Sequence, residues 1–256
     1  SERLSETEAF NIDTVSFTRL ADNVFRKYGG TATSYVNDAQ KTLIMWDAVI
    51  SLADKMEYFR TLDREDRYVP QLLRTVNEMK MYSVSPSDLM EASEKIDGGG
   101  TLPARLRDLA KIYSAYESIL HTSFSDPLDI PDTLCEVLKN NNFFSGYSVF
   151  IDSFYTLTPK EMKIVSEIMR ETDDITVSFA ISREDRKDSC TSFIWDYVKD
   201  IASTLEKCGK VPEIRDIDAV MLPEAEYISK NLWDYNSEPF GEKTDRITTV
   251  RCSDRY

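Results

Sequence analysis

The sequence predicts an α/β fold: a parallel sheet flanked by helices and interrupted by a long all-helical stretch. Three observations point there. Residues 147–205 alternate strand and helix patterns, the order that produces parallel strands joined by crossovers. Residues 36–140 carry helical periodicity with almost no strand signal. The composition is that of a folding chain, with 41% hydrophobic residues, 13 Tyr, 12 Phe and 3 Trp among 256 residues, whereas acidic disordered chains are poor in aromatics.

Taken in order, Ile12–Phe17 reads as a short β-like run leading into a helix patterned on Leu20, Val24 and Phe25. Tyr28-Gly29-Gly30 closes it, glycine being the usual residue just past a helix end. Leu43, Ile44, Trp46, Ile50 and Met56 broadly follow a 3.6-residue period over Val36–Phe59, and Leu72, Leu73, Val76 and Met79 mark a second helix. Ser85-Pro86-Ser87-Asp88 resembles a capping box with proline at the first helical position. Gly98-Gly99-Gly100 is a flexible hinge. Leu102, Leu106, Leu109, Tyr113, Tyr116 and Leu120 then recur at alternating steps of four and three residues. Fewer than three heptads makes this stripe ordinary packing rather than a coiled-coil seam.

From Tyr147 the pattern changes. Tyr147–Ile151 is a buried-type strand ending at Asp152, and Thr158-Pro159-Lys160-Glu161 is a full capping box opening a helix through Ile164, Val165, Ile168 and Met169. Ile175–Ile181 is a second strand. A helix from Ser192 stops at Gly209, and a helix near Glu224–Trp233 and a strand near Arg246–Val250 complete the chain. The predicted organisation is 1–35 as the start of the α/β domain, 36–140 as the helical insertion, and 141–256 as the continuation of the α/β domain.

Charge and rare residues narrow the function. A net charge of −14 lacks the basic footprint of a free-standing nucleic-acid binder. One histidine, His121, excludes multi-histidine zinc sites; it sits near a helix end, where it suits the macrodipole, and carries no ligand or catalytic assignment. Cys135, Cys190, Cys208 and Cys252 form no CxxC pair and read as reduced thiols. With so little acid–base equipment, an independent hydrolase is disfavoured. No stretch is long and apolar enough to span a membrane, no signal peptide is visible, and the expected location is cytoplasmic. The polar start without methionine and the strand-like end read as a piece of a longer protein.

Few residues carry chemistry. Gly241-Glu242-Lys243-Thr244 departs from a phosphate-binding loop, with Glu242 between glycine and lysine, and reads as a surface turn. Asp152, at the carboxyl end of a strand, stands where open α/β sheets place ligands and where nucleotide hydrolases hold Mg²⁺; on spacing alone, capping or orienting the loop 152–157 is the favoured reading. Phe154 and Tyr155 could stack on bases or pack under the next helix. Arg105, Arg107 and Lys111, interleaved with Asp108 and Glu117, read as a solvated face.

The strings Val15-Ser16-Phe17-Thr18-Arg19-Leu20-Ala21, Tyr82-Ser83-Val84-Ser85-Pro86-Ser87-Asp88-Leu89, Leu106-Arg107-Asp108-Leu109 and, above all, Phe150-Ile151-Asp152-Ser153-Phe154-Tyr155-Thr156-Leu157-Thr158-Pro159-Lys160-Glu161 resemble the AddB subunit of bacterial AddAB (RexAB) helicase–nucleases. In order and spacing the resemblance covers roughly residues 12–256. It implies an incomplete P-loop NTPase of the superfamily-1 helicase type, inactivated, whose first strand and phosphate loop would precede Ser1. Ser16, Phe17, Thr18 and Arg19 would correspond to a motif that touches single-stranded DNA. Residues 36–140 would be the inserted helical subdomain, Asp152 the remnant of the Mg²⁺-holding carboxylate, and 175–187 the next helicase motif.

Two departures argue against motor activity: Ser153 stands where an activating acid belongs, and Ser178-Phe179-Ala180 has no glutamine to sense phosphate. No cofactor is expected within this stretch, Mg²⁺ and ATP belonging to a full-length parent. The implied partners are an AddA-type helicase–nuclease subunit in a heterodimer and, through that complex, DNA and the Chi sequence. The rival reading is an acidic helical protein-interaction module, which an exposed 102–120 stripe would favour.

Overall fold

In the computed structural model the described residues are 12–31, 34–61, 68–96, 100–152, 154, 156–181, 192–217, 222–231, 236–241 and 244–246. The chain divides into two compact units, Ser1–Ala180 and Ile181–Tyr256.

The first unit opens with α1 (Phe17–Tyr28). The expected strand over 12–17 does not form. Ile12 is exposed, and Ser16 accepts the Arg19 amide as an N-cap, which draws Phe17 into the helix. At the other end Gly29 and Gly30 both have positive φ, and a Cβ on Gly30 would lie 2.7 Å from Phe25 Cδ1.

Next come α2 (Asp38–Ser51), two 3₁₀ turns (Ala53–Lys55, Phe59–Thr61), α3 (Tyr68–Met81), α4 (Pro86–Lys95), α5 (Leu102–Ser123), the turn Pro127–Asp129 and α6 (Ile130–Lys139). Apart from an isolated bridge between Tyr35 and Ser125, the described elements of this stretch are all helical, as the sequence predicts. The capping boxes at Asn37–Gln40 and Ser85–Asp88 are formed on both sides. Helices α2–α5 bury one core around Met45, Val76, Ile112, Tyr116 and Leu120. The 102–120 stripe is therefore mostly interior. Tyr113, Tyr116 and Leu120 are buried and Leu106 and Leu109 pack against them, while Leu102 remains exposed.

Strand β1 (Ser148–Ile151), helix α7 (Pro159–Glu171) and strand β2 (Asp174–Val177) form the expected parallel unit, with Ser148 opposite Asp174 and Ile151 opposite Val177. Both strands are shorter than predicted, and among the described residues these two make the whole sheet. One face, with Val149 and Ile175, packs on a second core built from Leu20, Val24, Leu134, Leu138, Phe144, Ile164 and Ile168 of α1, α6 and α7 and the loop before β1. Phe150 points from the other face and is 73% exposed.

The second unit holds α8 (Ser192–Lys207), terminated near Gly209 at φ 78, and α9 (Pro223–Asn231). Tyr227 packs on Phe240, and Thr244 Oγ1 donates to Glu224 at 2.8 Å. The strand expected at 246–250 falls almost wholly outside the described residues.

The supposedly solvated face of α5 is instead a clamp. Asp108 is fully buried and accepts hydrogen bonds from the amides of Glu57, Tyr58 and Phe59 at 2.7–3.1 Å. Arg107 pairs with Glu57 at 2.7 Å, Arg105 lies over the Tyr58 ring, and Lys111 donates to the Lys55 carbonyl. Helical periodicity cannot reveal this, because the partner is the backbone of a turn about 50 residues earlier.

Burial pushes the Asp108 carboxyl up, but the Glu57, Phe59 and Tyr58 amides with Lys111 outweigh it and hold its pKa below the ordinary carboxylate value. Its stabilising contribution is therefore present above the unfolded pKa of about 3.9 and is lost as pH falls through the lower folded value. Asp108→Ala leaves the three amides without this acceptor, with an expected loss of about 3 kcal/mol in urea denaturation at neutral pH. The difference between wild type and variant is expected to shrink below pH 4.

Candidate nucleic-acid interface at the carboxyl edge of the sheet

Parallel pairing brings the carboxyl ends of β1 and β2 side by side. The Ser178 amide donates to the Ile151 carbonyl at 2.9 Å, continuing the ladder by one residue. The next side chains therefore meet at the sheet end, where Ser178 Oγ donates to Asp152 Oδ1. Asp152 is exposed. Nothing in the sequence pattern signals this interaction between the two sheet-end residues.

Phe154 turns back from the same strand end toward α1. Its ring lies 5.4 Å from that of Phe17, tilted by 50°. Ser16, Thr18 and Arg19 are exposed on the first turn of α1, with the Ser16 side chain occupied as the helix cap. The structure thus joins Phe17 with Phe154, two residues predicted separately as DNA contacts 137 positions apart. Ser153 and Tyr155 lie outside the described residues, as does the 182–187 part of the second predicted motif.

The edge combines one exposed carboxylate, a hydroxyl, a tilted aromatic pair and the exposed Arg19, whose neighbour Asp22 is acidic and also exposed. An aromatic pair at a strand end can receive an unstacked base. A nucleotide triphosphate needs more: a glycine-rich loop of backbone amides and a lysine for the phosphates. The sequence contains no Gly-x4-Gly-Lys-Ser/Thr string. Asp152 and Ser178 alone do not fit ATP with Mg²⁺, and no nucleotide-dependent step is assigned to them.

A sequence family described as ADDB, N-terminal, matches residues 1–231. The chain belongs to this family. Among curated relatives, the B subunit of the ATP-dependent helicase/deoxyribonuclease of Caldanaerobacter subterraneus subsp. tengcongensis is 26% identical over 269 residues. The protein of the same name from Clostridium novyi is 23% identical over 269 residues, and that of Thermoanaerobacter sp. 26% over 265. Each alignment covers 100% of this chain and 23% of the relative. This chain therefore spans about a quarter of the length of these relatives. The resemblance read from the strings around Phe17, Ser85 and Asp152 is borne out by this membership.

The rings of Phe17 and Phe154 are the one predicted contact set that the described structure assembles. In a double-mutant cycle of Phe17→Ala and Phe154→Ala, followed by chemical denaturation, the pair is expected to show a coupling of about 0.5–1.5 kcal/mol. A coupling of zero would mean that the two rings do not support one another.

Proposed function

We propose that this ADDB-family chain is the amino-terminal, helicase-like module of a subunit that works in DNA double-strand-break resection. In this reading it is an incomplete P-loop NTPase domain of the superfamily-1 type, split as 1–35 and 141–256 by the helical insertion 36–140. It supplies no catalytic step. It guides single-stranded DNA past the carboxyl edge of its sheet and contributes to reading Chi, while an AddA-type partner in the heterodimer supplies translocation.

The observation that carries the reading is the family match over residues 1–231, together with the meeting of Phe17 and Phe154 at the sheet end. The relatives' own name, which makes each the B subunit of an ATP-dependent helicase/deoxyribonuclease, supports a partner subunit and a DNA substrate. Loss of motor activity is supported by Ser153 in place of an activating acid. The interaction-module alternative loses its motivation, because most of the 102–120 stripe is interior.

The −14 charge sets the expected strength: the chain alone binds DNA weakly and with marked salt dependence, and the full complex supplies the remaining cationic surface. The test is fluorescence anisotropy with a labelled single strand, using this chain and a version extended at its amino end, with and without Mg-ATP. Weak single-strand binding by this chain is expected, strengthened in the extended version and reduced about fivefold or more by Phe154→Ala. If the extended version binds neither DNA nor nucleotide, the helicase-like reading fails.

A further inference from the structure

The lone histidine lies against two carboxylates from different elements. His121 occupies the last turn of α5, and Glu117 sits one turn earlier on the same helix, with its Oε2 3.1 Å from His121 Nε2. Asp129, from the turn that leads into α6, places its Oδ2 3.5 Å from the same nitrogen. Among the described residues these three form a group whose donor atoms all lie within 4.8 Å of one another.

Three features distinguish the group from an ordinary acidic surface. First, the spacing fits a metal: a tetrahedral ion with bonds of about 2.0–2.1 Å separates its donors by about 3.3–3.4 Å, close to the two distances from the imidazole. Second, Asp129 Oδ2 is itself shielded from solvent and makes no hydrogen bond, the imidazole at 3.5 Å being its ionisable neighbour, and a carboxylate oxygen so placed leaves room for a water or an ion. Third, the group borders a cleft of about 370 Å³ lined also by Tyr35, Ser125 and Thr133, room for waters to complete a coordination shell.

The nearby cations do not occupy these donors. Lys80 Nζ contacts Glu117 Oε1 at 2.9 Å and Asp129 Oδ1 at 3.0 Å, and Lys160 lies 3.8 Å from the same Asp129 Oδ1. The ammonium groups thus take the inner oxygen of each carboxylate, while Oε2 and Oδ2 are turned toward His121. Lys80 acts as a positioning group that fixes both carboxylates and moderates their charge, as hydrogen-bonded partners commonly do around metal ligands.

We propose that Glu117, His121 and Asp129 bind a divalent transition ion, zinc being the best fit to one imidazole nitrogen and two carboxylate oxygens at this spacing. The ion would staple the end of α5 to the turn before α6, that is, the helical core to the α/β core. It is a structural or regulatory site rather than part of the DNA edge, and it stands independently of the function proposed above.

The test is a Zn²⁺ titration of this chain against a chromophoric chelator, alongside His121→Ala and Glu117→Gln. His121 is 46% exposed, so its truncation removes a donor without opening either core. Micromolar binding of one equivalent is expected for the wild type, with at least about a tenfold loss in each variant. Zinc should raise the melting temperature of the wild type and leave that of His121→Ala unchanged, which separates this site from adventitious binding at cysteines. Wild-type binding no tighter than that of His121→Ala, or no equivalent taken up at micromolar zinc, would overturn the proposal.

Discussion

Three lysines from three helices converge on three aspartates of one short segment. Lys41 of α2 and Lys80 of α3 reach the two oxygens of Asp126 at 2.7 and 2.9 Å. Lys160 of α7 reaches Asp132 at 2.6 Å and donates to the Leu128 carbonyl. The lysine side chains are only 4–7% exposed and Asp126 not at all. Moving such charges out of water costs several kcal/mol each, so they are tolerated only because they meet one another in good geometry. Burial pushes the Asp126 carboxyl up, but Lys41, the Leu128 amide and Lys80 outweigh it and keep the pKa below the ordinary value. Burial likewise lowers Lys80, yet Glu117, Asp126 and Asp129 together hold it above its ordinary value, so the pair stays ionised.

The position of this knot matters more than its strength. Asp126 also accepts the Leu128 amide and caps the turn Pro127–Asp129, which runs directly into α6. Helix α6 belongs to the core that carries the sheet, whereas Lys41 and Lys80 come from helices of the other core. The 126–132 segment therefore couples the helical block to the α/β element. It sets α6, and through the shared core α1, against α7. Phe17 on α1 can meet Phe154 at the strand end only if those helices are in place. The candidate DNA edge depends on a set of buried charges well away from it in sequence.

The sequence made the elements legible where local physics decides them. Capping boxes at Ser85 and Thr158, the glycine stop after Tyr28 and the β1–α7–β2 order all depend on residues a few positions apart, and all are found. It misled where a local pattern had no partner: Ile12–Phe17 reads as a short β-like run, but Ser16 supplies a helix cap instead. It was silent where the partner is distant. Asp108 looked solvated because its partners are backbone amides of another segment. Asp126 carries no motif, and the pairing of His121 with Asp129 is created by the turn between α5 and α6. The Glu117–His121 spacing of four residues was the one visible trace of that cluster. At the candidate edge, Asp152 and Phe154 were readable from their place after a strand, and Phe17 from the family resemblance. The pairings of Asp152 with Ser178 and of Phe154 with Phe17 emerged only from the folded structure.

Buried charge at Asp126 holds the two cores of the first unit together. Native-state hydrogen exchange on Asp126→Ala tests this most directly, since the change takes the carboxylate from the buried Lys41 ammonium and leaves Lys80 only Glu117 and Asp129, at an expected cost of about 3–5 kcal/mol. Amides of α1, α6 and α7 should lose protection together with those of α2 and α3. Protection retained in α1, α6 and α7, with the loss confined to α2 and α3, would contradict the coupling.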